Sequence, residues 1–260
     1  ILSGASAAAP DEFHACALLA NQTVHCFGNN GSDAVGMLGS LTGVTAVTVG
    51  SAHSCALLSD GTVQCWGDNE EGQLGNGDST NPAQSNTPIV VQGVSGATAI
   101  SAGPYHTCAL IGDGTIQCWG DGTEGALGNG TTNWGKLPTA VTGIQNAVGI
   151  AAGGDRNAGA ATCAVLADGT VRCWGMNNHG LMGNGSTSAT STCEGVPNGP
   201  CELTPVAVPG LSGVTAVSVG LQHACALQTG GQIMCWGSYG VALGLGRDLP
   251  SLSGPVNVVW

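Results

Sequence analysis

One sequence motif recurs along this chain: a Cys-Ala-Leu run, a short turn and a Cys-Trp-Gly run, as in CALLSDGTVQCWG from Cys55. Repetition of one unit predicts repetition of one supersecondary structure. We therefore predict a single repeat domain over residues 1–260, with a loop insertion at 186–202. Its copies are centred on the cysteine hairpins 16–26, 55–65, 108–118, 163–173 and 225–235.

Each copy predicts a β-hairpin with a three-residue loop. In the second copy, Ser59, Asp60 and Gly61 form this loop, and Gly61 occupies the position that favours a left-handed backbone. Centring the loop on Asp60 places Cys55 directly opposite Cys65 at a non-hydrogen-bonded pair. The cysteines of such a pair lie within disulfide range.

The twelve cysteines are therefore predicted to form six disulfides. The pairs are Cys16–Cys26, Cys55–Cys65, Cys108–Cys118, Cys163–Cys173, Cys193–Cys201 and Cys225–Cys235. So many disulfides are typical of secreted proteins, which predicts an extracellular or cell-surface location.

A metal site is the alternative for the paired cysteines, because His53 lies two residues before Cys55 and so brings a third soft ligand close to Cys65. The same spacing recurs at His14, His106 and His223. The fourth copy has Ala161 in place of the histidine, and directly opposed cysteines are more easily oxidised than metallated. We favour disulfides and predict no metal or cofactor.

The rest of each unit predicts an all-β fold. A β-branched run precedes the hairpin, as at 44–50, and a proline-led strand follows a G-x-L-G-N-G loop, as at 88–91. Short strands repeated about every 50 residues predict the blades of a β-propeller. Both hairpin faces are apolar, so each blade needs a neighbour on both sides. We expect the recurring tryptophans and histidines to pack between blades.

Five copies predict a propeller built from five repeats. The 25 residues after Cys235 and the first 26 residues of the chain together make 51, about one further repeat. We therefore expect the N- and C-terminal strands to join in one blade; membership of a larger ring is the alternative. Because the chain begins with Ile1, we expect a processed protein or a fragment.

The repeat resembles the regulator-of-chromosome-condensation repeat family. The matching features are the G-x-x-H-x-C-A-L run, the D-G-T turn, C-W-G-x-N at 65–69 and E-G-Q-L-G-N-G at 71–77. The resemblance covers essentially the whole chain, although the first copy has Phe27 in place of tryptophan. It implies a β-propeller, usually of seven blades. It also implies protein binding, including nucleotide exchange on small GTPases or enzyme inhibition.

Charge excludes several classes of partner. The chain has 16 acidic and 4 basic residues and a net charge of −12, so it cannot neutralise phosphates along a nucleic acid or an anionic membrane. The sequence has no uninterrupted apolar run of about 18 residues, so it predicts no membrane span. We expect no enzymatic activity, because the sequence has no G-x-S-x-G, H-E-x-x-H or phosphate-loop motif.

The loops after each Trp-Gly pair are expected on one rim of the propeller. Asp68, Glu70 and Glu71 offer oxygen ligands there and make calcium a weak alternative. Residues that depart from the repeat are better candidates for partner contacts, because exposed aromatic and basic side chains are common at binding hot spots. These candidates are Trp134, Lys136, Asp155 and Arg156.

The preferred function is a non-catalytic extracellular propeller used for protein binding or adhesion. One alternative is a self-assembling subunit of an extracellular filament or layer, which suits low charge and abundant disulfides. Another is a lectin or a carbohydrate-active enzyme, with a glycan as ligand.

Overall fold

The computed structural model describes residues 5–10, 14–28, 36–38, 41–77, 84–155, 159–188, 191–193, 199–238 and 251–258. Apart from a 3-10 turn at Asn178–Gly180, the regular elements of this part of the chain are β-strands. They form five antiparallel sheets, which confirms the predicted all-β propeller of five repeats.

Each sheet is one blade and is built from consecutive strands. Blade 1 comprises β1 (Ala5–Pro10), β2 (His14–Leu19), β3 (Val24–Gly28) and β4 (Gly36–Leu38). Blade 2 comprises β5 (Val44–Val49), β6 (His53–Leu58), β7 (Val63–Asp68) and β8 (Gln84–Val90). Blade 3 comprises β9 (Ala97–Ala102), β10 (His106–Ile111), β11 (Ile116–Gly120) and β12 (Gly135–Ala140). Blade 4 comprises β13 (Ala147–Asp155), β14 (Gly159–Leu166), β15 (Val171–Met176), β16 (Ser191–Cys193) and β17 (Gly199–Ala207). Blade 5 comprises β18 (Val214–Val219), β19 (His223–Gln228), β20 (Ile233–Gly237) and β21 (Leu252–Asn257).

The hairpin turn fixes the strand register. Gly61 has a φ of +79°, and the Asp60 carboxylate accepts hydrogen bonds from the backbone N–H and the hydroxyl of Thr62. This turn places Cys55 opposite Cys65, as the three-residue loop predicts. The same register holds in the hairpins of the other four blades.

All twelve cysteines form disulfides in the structure, and no cysteine is free. Five bonds join the middle strands of a blade, with Cα atoms 4.0–4.1 Å apart. The sixth bond, Cys193–Cys201, links β16 to β17 in blade 4. The insertion at 186–202 thus contributes β16 and the start of β17, which gives blade 4 a fifth strand.

Consecutive blades pack face to face, with their first strands adjacent. The face of each blade that carries the cysteine pair, here called the forward face, meets the next blade. The opposite face, here called the backward face, carries the tryptophan and meets the preceding blade. For example, Cys55 and Leu57 of blade 2 pack in one cluster with Trp119 of blade 3. This arrangement buries both faces of the inner blades, as their apolar sequences predict.

The sheet topology corrects one detail of the prediction, because the terminal strands do not share a blade. β1 pairs with β2, with Ala9 opposite Cys16, and β21 pairs with β20, with Val256 opposite Cys235. The alanine-rich segment Ala5–Pro10 takes the place of the β-branched first strand of other repeats. Each terminus therefore completes its own four-stranded sheet.

Candidate functional site

The tryptophans of the repeat lie in the junctions between blades. Trp66, Trp119, Trp174 and Trp236 are fully buried. Trp174 Nε1 donates to the carbonyl of Ala126 in the preceding blade at 2.9 Å, and Trp119 and Trp236 make equivalent bonds. Stacking on a ligand would need an exposed ring, so these side chains serve packing.

The recurring histidines also belong to the junctions. His53 Nε2 lies 2.8 Å from the hydroxyl of Thr107 in the next blade, and His106 Nε2 lies 2.8 Å from that of Thr162. The Thr162 hydroxyl also donates to the Ala126 carbonyl at 3.3 Å, so it accepts the proton of His106 Nε2. The blade 1 pair has the same geometry: His14 Nε2 lies 2.8 Å from the Ser54 hydroxyl.

The junction of blades 4 and 5 lacks this bond. Ala161 stands at the histidine position and Ala224 at the hydroxyl position, and both are fully buried in one apolar cluster. Removing both partners of a buried hydrogen bond costs less than removing one, because no polar group is left unsatisfied. The bond is thus a feature of some junctions and not a requirement for packing.

Burial keeps these histidines neutral at pH 7. Burial, with a smaller contribution from the nearby His106 and His14 side chains, lowers the pKa of His53 to about 3. Burial alone lowers the pKa of His106 to about 4. Since the cysteines beside them are oxidised, the metal set of His53, Cys55 and Cys65 is not available. Among the described residues, no cluster of His, Cys, Asp or Glu could hold a metal ion.

The described residues that follow the Trp-Gly pairs of blades 2 to 4 lie at one end of their blades, here called the loop rim. The described connections between first and second strands, and between third and fourth strands, form this rim. Asp68, Glu70, Glu71, Trp134, Lys136 and Asp155 all fall on it.

Two of the three acidic candidates for calcium in blade 2, Asp68 and Glu71, accept hydrogen bonds within their own loop. Asp68 accepts hydrogen bonds from the backbone N–H groups of Asn69 and Glu70 and from the side chain of Gln73. Glu71 accepts a hydrogen bond from Gln73 at 2.5 Å, and partial burial, followed by the charge of Asp68, raises its pKa. The oxygens of Asp68 and Glu71 are thus engaged by donors of their own loop.

Glu124 occupies the corresponding position in blade 3 and reaches the next blade. Its carboxylate accepts a hydrogen bond from the backbone N–H of Ala160 at the start of β14. Desolvation by burial raises the pKa of Glu124 to about 7; the Ala160 bond opposes this shift and the charges of Asp121 and Asp155 add to it. Glu124 is therefore a titratable contact between blades 3 and 4.

Three neighbouring side chains of blade 3 are exposed on the loop rim. Trp134 is 50% exposed and Leu137 is 45% exposed, and Lys136 between them is also exposed. The backbone beneath them is fixed on the preceding blade, because the N–H of Gly77 donates to the Lys136 carbonyl at 2.9 Å. We call Trp134, Lys136 and Leu137 the Trp134 patch.

The other two candidate contacts are placed differently. Asp155 ends β13 and accepts a hydrogen bond from the Gln222 side chain of blade 5 at 3.4 Å. It thus lies at the junction of blades 4 and 5, whereas the Trp134 patch lies between blades 2 and 3. Arg156 lies outside the described residues.

A cavity of about 230 Å³ opens at the centre of the loop rim. It is lined by the first strands and the turns that follow them in blades 2 to 5, including Gly50, Gly103, Gly153 and Gly220. Every lining residue is Gly, Ala, Val, Leu or Pro. Among the described residues, the cavity lining therefore offers backbone groups and shape, but no side chain that could transfer a proton.

The structure adds three groups that the sequence analysis did not identify: the junction hydroxyls, Glu124 and Leu137. A signal for the hydroxyls was present, because the H-x-C segment is HAC, HSC, HTC, ATC and HAC in the five copies. Each copy with Ser or Thr follows a copy with His. The pattern becomes apparent only when consecutive repeats are known to pack together.

Comparison with known proteins identifies the repeat. The family model for the regulator of chromosome condensation (RCC1) repeat matches residues 60–110, 113–158 and 168–227. A second model with the same description matches residues 44–73, 97–126 and 147–181.

Several curated proteins are similar in sequence to this chain. The chain is 30% identical over 177 residues to the human E3 ubiquitin-protein ligase HERC2, which covers 64% of this chain and 3% of HERC2. It is 29% identical over 159 residues to the ultraviolet-B receptor UVR8 of Arabidopsis thaliana, covering 59% of this chain and 32% of UVR8. The chain thus spans only a small part of the curated relatives it matches.

Solved structures agree on the fold. Yeast RCC1 (Prp20), in a crystal structure with Kap60, superposes with a TM-score of 0.81 at 20% identity, covering 98% of this chain and 61% of Prp20. Human WBSCR16 superposes with a TM-score of 0.79 at 22% identity, covering 97% of this chain and 66% of that protein. The described part of the chain has no helix long and apolar enough to cross a membrane.

Proposed function

Because the chain belongs to the regulator of chromosome condensation (RCC1) repeat family, we propose that it is a non-catalytic extracellular protein-binding module. The Trp134 patch is its principal contact surface.

One contrast carries this proposal. The four tryptophans of the repeat are fully buried, whereas Trp134, which is not part of the repeat, is 50% exposed. Exposing a large aromatic side chain is unfavourable unless another surface covers it. Tryptophan at the centre of a desolvated contact is also typical of binding hot spots.

The surroundings of Trp134 favour a protein partner. Leu137 extends the apolar area, and Lys136 supplies a cation on a chain with a net charge of −12. Such a surface suits a partner with an apolar pocket and a carboxylate at its edge. Because the patch backbone is bonded to Gly77 of the preceding blade, little conformational entropy is lost on binding.

Two further observations support the proposal. Six disulfides favour an oxidising compartment, and therefore a location outside the cytosol. The fold also serves protein binding elsewhere, since one structure of yeast Prp20p is described with its binding properties to Gsp1p and histones.

Site-specific photo-crosslinking tests the proposal. A photo-reactive phenylalanine analogue replaces Trp134 in one protein and Val148, which is 59% exposed in blade 4, in a control. Both proteins are incubated with extracellular proteins of the source. We expect a discrete adduct from position 134, competed by the unmodified chain and not by Trp134→Ala. The absence of a competed adduct, or the same adduct from position 148, would contradict the proposal.

A further inference from the structure

The Trp134 patch contacts an acidic loop of blade 2. A Cβ on Gly72 of this loop would lie 2.9 Å from the Cα and 3.4 Å from the Cγ of Lys136, so the loop backbone packs directly on the patch. Glu70 and Glu71 immediately precede Gly72, and Glu70 is exposed. Two acidic residues thus adjoin the patch on its blade 2 side.

A second acidic loop adjoins the patch within blade 3. A Cβ on Gly122 would meet the backbone carbonyl oxygen of Asn133, the residue before Trp134. Asp121 precedes Gly122, and its carboxylate accepts a hydrogen bond from the backbone N–H of Thr123 at 2.8 Å. The patch therefore lies between acidic residues of two blades.

The charges of these loops are close enough to repel one another. Desolvation has the largest effect on the raised pKa of Glu71, and the charges of Asp68 and Asp121 raise it further. The charge of Asp121 also adds to the raised pKa of Glu124. Along the described part of the loop rim, Lys136 is the only Lys or Arg residue. A cation placed beside the patch would therefore relieve repulsion between carboxylates.

The side chains of the patch are not needed for the contact between blades. The bond from the Gly77 N–H to Lys136 uses only the backbone carbonyl. The equivalent N–H groups of Gly130 and Gly185 donate to the carbonyls of Leu203 and Ser253 in the next blades. Neither of those residues is charged, so the fold does not require a cation at this position.

Building on the proposed function, we propose that the partner of the Trp134 patch is a basic protein segment in which cationic side chains flank an apolar one. The apolar side chain covers Trp134 and Leu137, and Lys or Arg side chains on either side approach the carboxylates of the two loops. Charge complementarity carries this choice, because acidic residues adjoin the apolar surface on two sides. An apolar centre with a charged rim is also the usual arrangement of a protein interface. Lys136 leaves a place for a single acidic group on the partner.

A pair of synthetic peptides tests the charge of the partner. In the first peptide, one leucine is flanked on each side by two arginines; in the second, glutamates replace the arginines. Both peptides carry a fluorescent label, and fluorescence anisotropy measures their binding to the 260-residue chain. We expect the arginine peptide to bind at least about tenfold more tightly than the glutamate peptide. Raising the salt from about 50 mM to about 200 mM should weaken its binding several-fold.

Substitutions in the chain locate the binding. Trp134→Ala should weaken binding of the arginine peptide about tenfold, because the apolar contact is lost. The double variant Glu70→Gln, Asp121→Asn should weaken it about threefold to tenfold, since it removes one carboxylate from each loop. Asp113→Asn is the control: it makes the same change of charge in the exposed hairpin turn at the opposite end of blade 3, where an amide oxygen can still accept the bonds from Thr115. The affinity of this control should change less than about twofold.

Three results would overturn the inference. They are equal binding of the arginine and glutamate peptides, unchanged affinity in Trp134→Ala and in the double variant, and an equal loss of affinity in Asp113→Asn. The photo-crosslinking experiment separates this inference from the proposed function. A competed adduct at position 134 whose partner segment carries net negative charge would leave the proposed function standing and overturn the inference. If no competed adduct forms, the proposed function is contradicted, whereas the peptide measurements still decide the charge preference of the patch.

Discussion

The buried histidines make a specific prediction about acid stability. His53 and His106 are fully buried, and their pKa values are lowered to about 3 and about 4. In the unfolded chain each titrates near 6.5. Because the folded pKa is depressed, the stability that each neutral histidine contributes is fully present above pH 6.5 and is lost as the pH falls toward the folded pKa.

The expected loss is large. At pH 4.5, two units below the unfolded pKa, protonation stabilises the unfolded chain by about 2.7 kcal/mol per histidine. Both histidines together lower the free energy of unfolding by about 5 kcal/mol, which is a large part of the stability of a typical domain. Glu124 offsets part of this loss, because its raised pKa acts in the opposite direction. A comparison between variants isolates the histidine contribution.

The double variant His53→Ala, Thr107→Ala isolates the contribution of His53 to this loss of stability. It gives the second junction the pair of alanines that the fourth junction already has. The free energy of unfolding of both proteins should fall between pH 7 and pH 4.5. The fall should be about 2.7 kcal/mol smaller for the double variant than for the unmodified chain. Urea unfolding of the oxidised protein, followed by circular dichroism at several pH values, measures this. Thr98→Ala, which removes a hydroxyl outside the junction bonds, should keep the original slope. Parallel curves for the double variant and the unmodified chain would refute the reasoning.

Three further substitutions test other contacts by the same measurement. The unmodified chain should lose about 2 kcal/mol of stability between pH 4.5 and pH 8 through Glu124, because the raised pKa of this partly exposed carboxyl makes its protonated form more stable in the fold. Glu124→Gln should remove this loss, and an unchanged pH profile would contradict this. Thr162→Val should cost about 2 kcal/mol at pH 7, since His106 Nε2 loses its partner in a dry junction; a neutral effect would show that this bond contributes little. Gln22→Gly should raise stability by about 1 kcal/mol, because Gln22 has a φ of +64° at a turn position that is glycine in the other repeats. The reverse change, Gly61→Gln, should lower stability by more than this gain, because a Cβ there would also lie 2.8 Å from the Gly96 backbone; a neutral or destabilising effect of Gln22→Gly would contradict the strain argument.

Much of the fold could be predicted because the repeat contains its own register. The D-G-T turn fixes the hairpin, the hairpin fixes the cysteine pairs, and strand alternation then places Trp66 and Cys55 on opposite faces. The first and fifth copies lack D-G-T, but the same loop length keeps the cysteines opposed in both.

The terminal blades could not be predicted in this way. β1 is an alanine-rich segment with no β-branched residue, and it becomes a strand because β2 offers it an edge. The number of residues between repeats predicted that the N-terminal segment forms only part of a blade. In the structure, blade 1 is complete because the short strand β4 is its fourth strand. Tertiary pairing overrides local propensity here.

The candidate site could be predicted only as a location. The sequence placed Trp134 and Lys136 outside the repeat. The structure adds the exposed Leu137 and the hydrogen bond from the N–H of Gly77 to the Lys136 carbonyl. Glu124 repeats the position of Glu71 in the next copy, but its burial depends on Ala160 of the next blade and so could not be predicted. Contacts between repeats are set by blade packing and not by spacing within a copy.

One comparison tests most directly whether the residues of the repeat build the blade junctions while residues outside the repeat stay free for partners. The change Trp→Phe is made at Trp174, fully buried and bonded to the Ala126 carbonyl, and separately at Trp134, half exposed. Circular dichroism in urea gives the free energy of unfolding of both variants. We predict a loss of about 2 kcal/mol for Trp174→Phe and less than about 0.5 kcal/mol for Trp134→Phe. Equal losses, or a larger loss at Trp134, would contradict the account.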